Sequence, residues 1–238
     1  MPTDGAANLS LHGSTYRQRD FSGVGVRSLR TTDSVFEACV FRNFDVRQWT
    51  SVMPGARSIF RDCRFEDFAA AVTVIGDVRF EGVEFGPSTH LGEWFSNQAE
   101  YIGCQFQGRI QKGWVSAHDE RLYAATGRHR NEVVWNDFSQ CDLVDFGFRG
   151  GVVLDKQRLP SGPDYLTLSS PVAALSAAWG AISELPTELQ PFARGVLRML
   201  ELRVEQGQSE LFLSLRGLGL DSPPWEPLVT ALSIGTSS

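Results

Sequence analysis

The sequence is poor in the residues from which active sites are commonly assembled. It has four histidines, His12, His90, His118 and His129, and none sits in a recognised arrangement with a nucleophile. It contains no Gly-x-Ser-x-Gly, no glycine-rich loop followed by lysine, no His-Glu-x-x-His and no dinucleotide fingerprint. Its four cysteines form no Cys-x-x-Cys pair and adjoin no histidine, so the common zinc and redox spacings are missing. A non-enzymatic chain with no cofactor and no metal is the expectation. No apolar run is long enough to span a bilayer, and residues 1–10 lack a basic stretch followed by an apolar one, so we expect no membrane association and a cytoplasmic location. Basic residues are also in deficit, 22 against 28 acidic, giving a formal charge of −6. Phosphate binding along nucleic acid normally needs a basic surface, so a nucleic-acid ligand is not expected.

What the chain has instead is repetition. Phe36-Glu37-Ala38-Cys39-Val40-Phe41 sets a pattern of aromatic, two variable residues, Cys or Val, one variable residue, and Phe or Leu. The pattern returns at 60–65, 80–85, 101–106 and 138–143, and a fainter copy (Tyr16, Arg19, Phe21) precedes it. The final positions, 41, 65, 85, 106 and 143, are 24, 20, 21 and 37 residues apart. One copy is too short to bury its aromatics, whereas stacked copies build a continuous core. Residues two apart in extended chain point to one side, so Cys39 and Phe41 form an inward pair, and the aromatic five before the last residue requires a corner between them. Four such corners per coil make a square-sectioned solenoid. The cysteines then fall at equivalent positions and read as buried free thiols.

The segments Cys39-Val40-Phe41-Arg42-Asn43, Cys63-Arg64-Phe65-Glu66-Asp67, Val83-Glu84-Phe85-Gly86-Pro87, Cys104-Gln105-Phe106-Gln107-Gly108 and Cys141-Asp142-Leu143-Val144-Asp145 look like single units of pentapeptide-repeat proteins. The resemblance covers roughly residues 16–150 and implies a right-handed quadrilateral parallel β-helix. It also implies one possible function, since some members mimic DNA and protect type II topoisomerases. Between Asp33 and Gln111 there are 11 acidic and 7 basic side chains, a modest excess for a phosphate mimic.

The expected fold class is mainly β with a C-terminal α region. Residues 1–15 form an N-terminal arm or cap, and residues 16–158 a β-helix with an insertion at about 111–132. Residues 159–169 read as a linker and residues 170–238 as a helical C-terminal cap. Pro54-Gly55 reads as a bulging corner that absorbs the 24-residue step. Beyond Pro171, Val172, Leu175, Ala178, Trp179 and Ile182, then Leu189, Phe192, Ala193, Val196, Leu200 and Val204, recur at helical spacing, with Ser170 and Ser222 as N-caps before proline.

Loops that interrupt a solenoid gather on one side and often carry binding. The candidate partner-binding residues are therefore Trp114, His118, Asp119, Arg121 and His129 of the insertion. Trp49 and Trp94 join them, lying with Trp114 at eight or nine residues past a ladder Phe, either as corner packing or as an aromatic strip. A protein partner is expected, in an immunity or antitoxin-like role, with a homodimer through the helical cap as a further possibility. The enzymatic alternative is a β-helix acting on a polysaccharide through acids such as Asp62, Glu66, Asp67, Glu81 and Glu84.

Overall fold

The computed structural model describes residues 7–22, 26–51, 56–87 and 89–234. The Pro54-Gly55 corner and residues 1–6 of the arm lie outside the described residues. Two parallel sheets wind into a β-solenoid of about five turns. One contains β1 (Ala7–His12), β3 (Val26–Thr32), β5 (Val40–Ser51), β7 (Arg64–Ile75), β10 (His90–Ser96), β12 (Gln105–Ser116) and β14 (Asp137–Arg149), with the short β9 (Glu84–Phe85) between β7 and β12. The other stacks β2 (Thr15–Arg17), β4 (Val35–Glu37), β6 (Ser58–Arg61), β8 (Val78–Glu81), β11 (Glu100–Ile102) and β13 (Val133–Val134).

The aromatic copies stack as neighbouring rungs. Phe21, Phe41, Phe65, Phe85 and Phe106 form one ladder with centroids 4.7–5.0 Å apart and rings within 15° of parallel. Tyr16, Phe36, Phe60, Phe80 and Tyr101 form a second at 4.5–5.2 Å. These distances are the hydrogen-bonding spacing between strands, so the backbone ladder sets the ring stacking. Buried pairs two residues apart also recur every five residues on all four sides of a turn, as Ser34/Phe36, Cys39/Phe41, Phe44/Val46 and Trp49/Ser51, then Ser58/Phe60, Cys63/Phe65, Phe68/Ala70 and Thr73/Ile75.

Corners need backbone that bends without losing its hydrogen bonds. Gln18, Ala38, Asp62, Gly82, Gly103 and Trp135 occupy one corner column, all with φ between 50° and 61°. Each donates its N–H to the carbonyl of the next rung, 2.6–3.0 Å away. Glycine accepts this left-handed conformation freely, and other residues adopt it at a cost.

The fifth copy differs from the sequence expectation. Tyr101 pairs with Val133 and Gln105 with Asp137, and it is Phe138, not Leu143, that stacks on Phe106, at 4.4 Å. The copy in register is therefore Val133-Val134-Trp135-Asn136-Asp137-Phe138. Cys141 lies opposite Gly108, and the position above Cys104 belongs to Asn136. Asn136 is fully buried. Its Oδ1 accepts the Cys104 N–H, while its Nδ2 donates to the Tyr101 carbonyl and to Gln157 Oε1, each at 3.0 Å.

The segment boundaries also move. β1 pairs in parallel with β3, so the first rung begins within the expected arm. The insertion starts later than residue 111, because β12 runs to Ser116. The expected linker contains β15 (Tyr165–Leu168), which pairs antiparallel with β16 (Leu211–Ser214) inside the expected helical cap. Around this two-stranded sheet pack α2 (Pro171–Ala181), α3 (Gln190–Glu205) and α4 (Glu226–Ser233), with a hydrophobic core of their own. Ser170 precedes Pro171 as expected but makes no side-chain capping bond. Among the described residues no helix is long and apolar enough to cross a membrane.

The β15–β16 sheet and the segment leading into β16, rather than a helix, close the solenoid. Phe212 enters the solenoid core, edge-on to Phe148 at 5.9 Å and stacked on Tyr165 at 5.4 Å. The buried Gln208 accepts the Gly151 N–H at 3.0 Å and donates to the Val152 carbonyl at 2.8 Å. The last turn's backbone thus finds partners in the cap.

Replacing Asn136 with Ala would strand the Cys104 N–H and the Tyr101 carbonyl in the interior, at about 1–3 kcal/mol each. Equilibrium urea unfolding of Asn136→Ala should show a loss of about 3 kcal/mol with an unchanged m-value, and a loss below about 1 kcal/mol would refute this account of the rung.

Candidate functional site

The insertion occupies residues 117–132, between the end of β12 and β13. It holds α1 (Leu122–Thr126), which ends at Gly127 with φ of 73°. Two side chains tie it to the solenoid, and a third, Leu122, is fully buried. Asn131 donates to the carbonyls of Asn97 and Ser116, both at 2.8 Å. Arg128 donates to Asp77 Oδ1 at 2.8 Å and to the Gln98 carbonyl at 2.7 Å. The loop is thereby a braced surface.

Arg128 completes an ionic network on the outside of the short-strand sheet. Arg17, Glu37, Arg61 and Glu81 are register partners on successive rungs, so the charge alternates along the column. Arg17 meets Glu37, and Arg61 meets Glu81, each at 2.6 Å. Arg79 bridges Glu81 to Glu100, and Arg57 also bonds Glu100. Burial pushes the Glu100 carboxyl up, but the hydrogen bonds and charges of Arg79, Arg57 and Arg128 outweigh it and hold the group below its usual range.

The sequence-predicted residues fall into two groups. Trp49 and Trp94 are fully buried, which corrects their assignment as partner contacts. Their column reads Leu29, Trp49, Thr73, Trp94, Gly113, so each Trp is followed by a small residue over which its ring can extend. The two indoles meet edge to face at 6.0 Å although they sit two rungs apart. At the next rung Gly113, with φ of 149°, holds the inward place, because a Cβ there would collide with the Trp94 carbonyl.

Trp114 consequently points outward. It packs on Phe95 at 4.5 Å, donates from Nε1 to Asn97 Oδ1 at 2.6 Å, and carries the Arg149 guanidinium 4.0 Å above its ring. His118 and His129 meet across the neck of the insertion, where His118 Nδ1 lies 2.9 Å from the His129 carbonyl and so carries the proton. Asp119 Oδ1 accepts the Arg121 N–H at 2.9 Å and starts the helical turn. Trp114, His118, Asp119, Arg121 and His129 therefore lie in or beside the insertion, while Trp49 and Trp94 lie in the core.

Two exposed aromatics carry no mark in the sequence pattern. Tyr123 is 58% exposed and stacks on His129 at 4.5 Å. Trp135 is 65% exposed in a corner position that other rungs give to Gln, Ala, Asp or Gly. Its signal becomes visible only in the corrected register.

Chemically the thiols are quiet. All four cysteines are free and buried, and burial pushes those of Cys63, Cys104 and Cys141 up to about 12. Among the described residues no group of His, Cys, Asp and Glu is placed to hold a metal ion. Of the acids considered for glycan chemistry, Glu66 pairs with Arg42 and Arg64 and Glu81 with Arg61 and Arg79, while Asp62 and Asp67 sit at left-handed corners and Glu84 lies in β9.

No family model matches the chain, and no curated protein or solved structure shows significant similarity to it.

The network around Glu100 should register in acid. Its folded-state pKa lies below the ordinary 4.5, so its stabilisation is complete above about pH 4.5 and disappears as pH falls through the lower folded value. Glu100→Gln should lose about 2–4 kcal/mol at pH 7, and the gap from the parent should narrow steadily once pH falls below about 4.5. Thermal melts of both proteins across about pH 3–7 test this, and a gap as wide at the acid end as at pH 7 would show that the charge is not what the site uses.

Proposed function

We propose that this chain is a non-enzymatic protein-binding module that blocks or protects a partner protein, in an immunity or antitoxin-like role in the cytoplasm. The observation that carries the reading is the combination of a tightly braced insertion with exposed aromatics at its surface and beside it. Arg128, Asn131 and Leu122 hold the loop, while Tyr123 and Trp135 stay in water. Trp and Tyr contribute disproportionately at protein interfaces, and presenting them on a rigid frame reduces the ordering cost of binding. Trp135 also accepts a left-handed backbone that costs a non-glycine residue about 1–2 kcal/mol. A cost of that size at an exposed position is reasonable where the side chain serves a contact.

Kinship with pentapeptide-repeat proteins is part of this reading, supported by inward pairs at a period of five on every side of the turn. The topoisomerase-protecting role known within that family draws less support, because the acids of the short-strand sheet are neutralised by arginine on the next rung. The pairing of Glu66 and Glu81 with arginine weighs against polysaccharide cleavage. Free buried thiols suit a reducing compartment. Val172 and Leu202, both well exposed, supply apolar surface for a homodimer through the cap.

Affinity capture with the intact chain, followed by titration of the captured protein, tests the proposal. Tyr123→Ala and Trp135→Gly should each weaken binding by about thirtyfold or more. Trp135→Gly should at the same time melt no lower than the parent, since glycine relieves the corner. Binding unchanged in both variants, or no captured protein together with hydrolysis of a glycan, would overturn the module.

A further inference from the structure

Arginines of this chain often pair with acids on a neighbouring rung. Four have a buried Nε without a partner: Arg57, Arg128, Arg149 and Arg216. Arg57, Arg128 and Arg216 form ion pairs through their terminal nitrogens. The Arg149 side chain has no ion pair and no hydrogen bond among the described residues. The side chain of its neighbour Arg203, from the last turn of α3, bonds only the Met199 sulfur among the described residues, at 3.7 Å.

The register places these two cations side by side. Trp114 and Gly147 are partners on β12 and β14, and Arg149 lies two residues beyond Gly147 on the same outward face. The Arg149 guanidinium folds back over the indole at 4.0 Å. Arg203 lies over Gly147, with Nη1 3.4 Å from where a Cβ would stand, so the glycine makes its room. Arg130 approaches from the insertion and bonds the Gly151 carbonyl. Burial and the Arg203 charge pull Arg149 down to about 10, against the opposing charge of Asp145, and Arg203 is lowered as well. Asp145 is exposed and lies opposite Lys112. A cavity lined by Asp145, Arg203 and Ser214 measures about 10 Å³, room for no more than one water and too small for a phosphate.

On one seam of the cap, Asp142 takes up Arg216 and Arg109. Where Arg149 and Arg203 meet, no carboxylate among the described residues stands within ion-pair distance, despite the chain's excess of acids. We propose that Arg149 and Arg203, flanked by Arg130, bind a phosphate group, either the free ion or a phosphomonoester of a small molecule, at the junction of solenoid, insertion and cap. Two guanidinium forks suit the charge and the several acceptor oxygens of a phosphate dianion. The indole beneath Arg149 keeps one fork in place. The site is independent of the protein-binding reading.

The test uses the full chain, titrated at constant ionic strength with inorganic phosphate and with phenyl phosphate, against chloride. Thermal melts and tryptophan fluorescence follow binding. Saturable stabilisation is expected in the parent and in the exposed-surface control Arg198→Gln, with binding at least tenfold weaker in Arg149→Gln and Arg203→Gln. In chloride, Arg203→Gln should melt at or above the parent temperature, because it removes a like charge, a result that a purely structural Arg203 would not give. Tighter binding of phenyl phosphate assigns the site to an ester, and equal binding assigns it to the free ion. The proposal is overturned if the parent shows no saturable response, if both arginine variants respond as the parent does, or if Arg203→Gln loses as much stability in chloride as in phosphate.

Discussion

The rest of the structure depends on the in-register stacking of parallel strands at about 4.8 Å. That spacing is also a comfortable separation for offset or parallel aromatic rings, so each backbone hydrogen bond brings a Phe or Tyr onto the one below. Phe41 touches Phe21 and Phe65 in this way, and Phe36 touches Tyr16 and Phe60. The same constraint rules what stands beside the ladders. Two indoles on adjacent rungs of the inward column would compete for one volume, and the chain alternates Trp49, Thr73, Trp94 and Gly113. Like charges on adjacent outer positions would repel at the same short range, and the outer column alternates Arg17, Glu37, Arg61 and Glu81. Inside and outside thus obey one rule of complementarity between rungs, steric in one case and electrostatic in the other.

Much of this was legible in the sequence because a period of about 20 residues in aromatics is hard to satisfy with any fold but stacked coils. The solenoid, the ladder of Cys39, Cys63 and Cys104 and the presence of an insertion before the last copy followed from it, whereas Cys141 falls outside that ladder. The register of the last copy did not. Buried pairs recur every five residues, so a motif read as aromatic, Cys and Leu fits equally well one side further around the turn. Phe138, Cys141 and Leu143 are all inward, as Phe36, Cys39 and Phe41 are, but displaced by one side. Within an unbroken run the regular step between copies removes that ambiguity. The insertion before β13 broke the run, and the true copy, led by Val133 and carrying Asn136 in the cysteine place, lacked the residues that marked the others. The outward turn of Trp114 was hidden for a related reason. A one-residue change in phase between Phe106 and Ile110 exchanges inside for outside, and spacing alone placed Trp114 with Trp49 and Trp94.

The site residues that gain their role in the structure share a different property. Tyr123, Arg149 and Arg203 belong to no repeat, Trp135 sits in the copy that lacks a leading aromatic, and Arg149 and Arg203 take their meaning from each other across a long sequence distance. Arg149 is an ordinary basic residue until α3 brings Arg203 beside it, more than fifty positions later. Periodicity reports the core, where neighbours repeat. It is silent about the places where the repeat stops.

Those places are where this fold has freedom to build a binding surface. In the middle of the solenoid, an outward charge such as Arg61 is answered by Glu37 on one side and Glu81 on the other, so substitution there must be matched on two other rungs. At the last rung that obligation lapses on one side. The chain fills it with Asn136, Gln157 and Gln208, which satisfy backbone groups that a further turn would have taken. Around this polar closure the insertion, the final strand and the cap meet, and no repeat dictates the side chains between them. Exposed aromatics and unpaired arginines can persist there because the stacked core beneath supplies the stability that these residues do not.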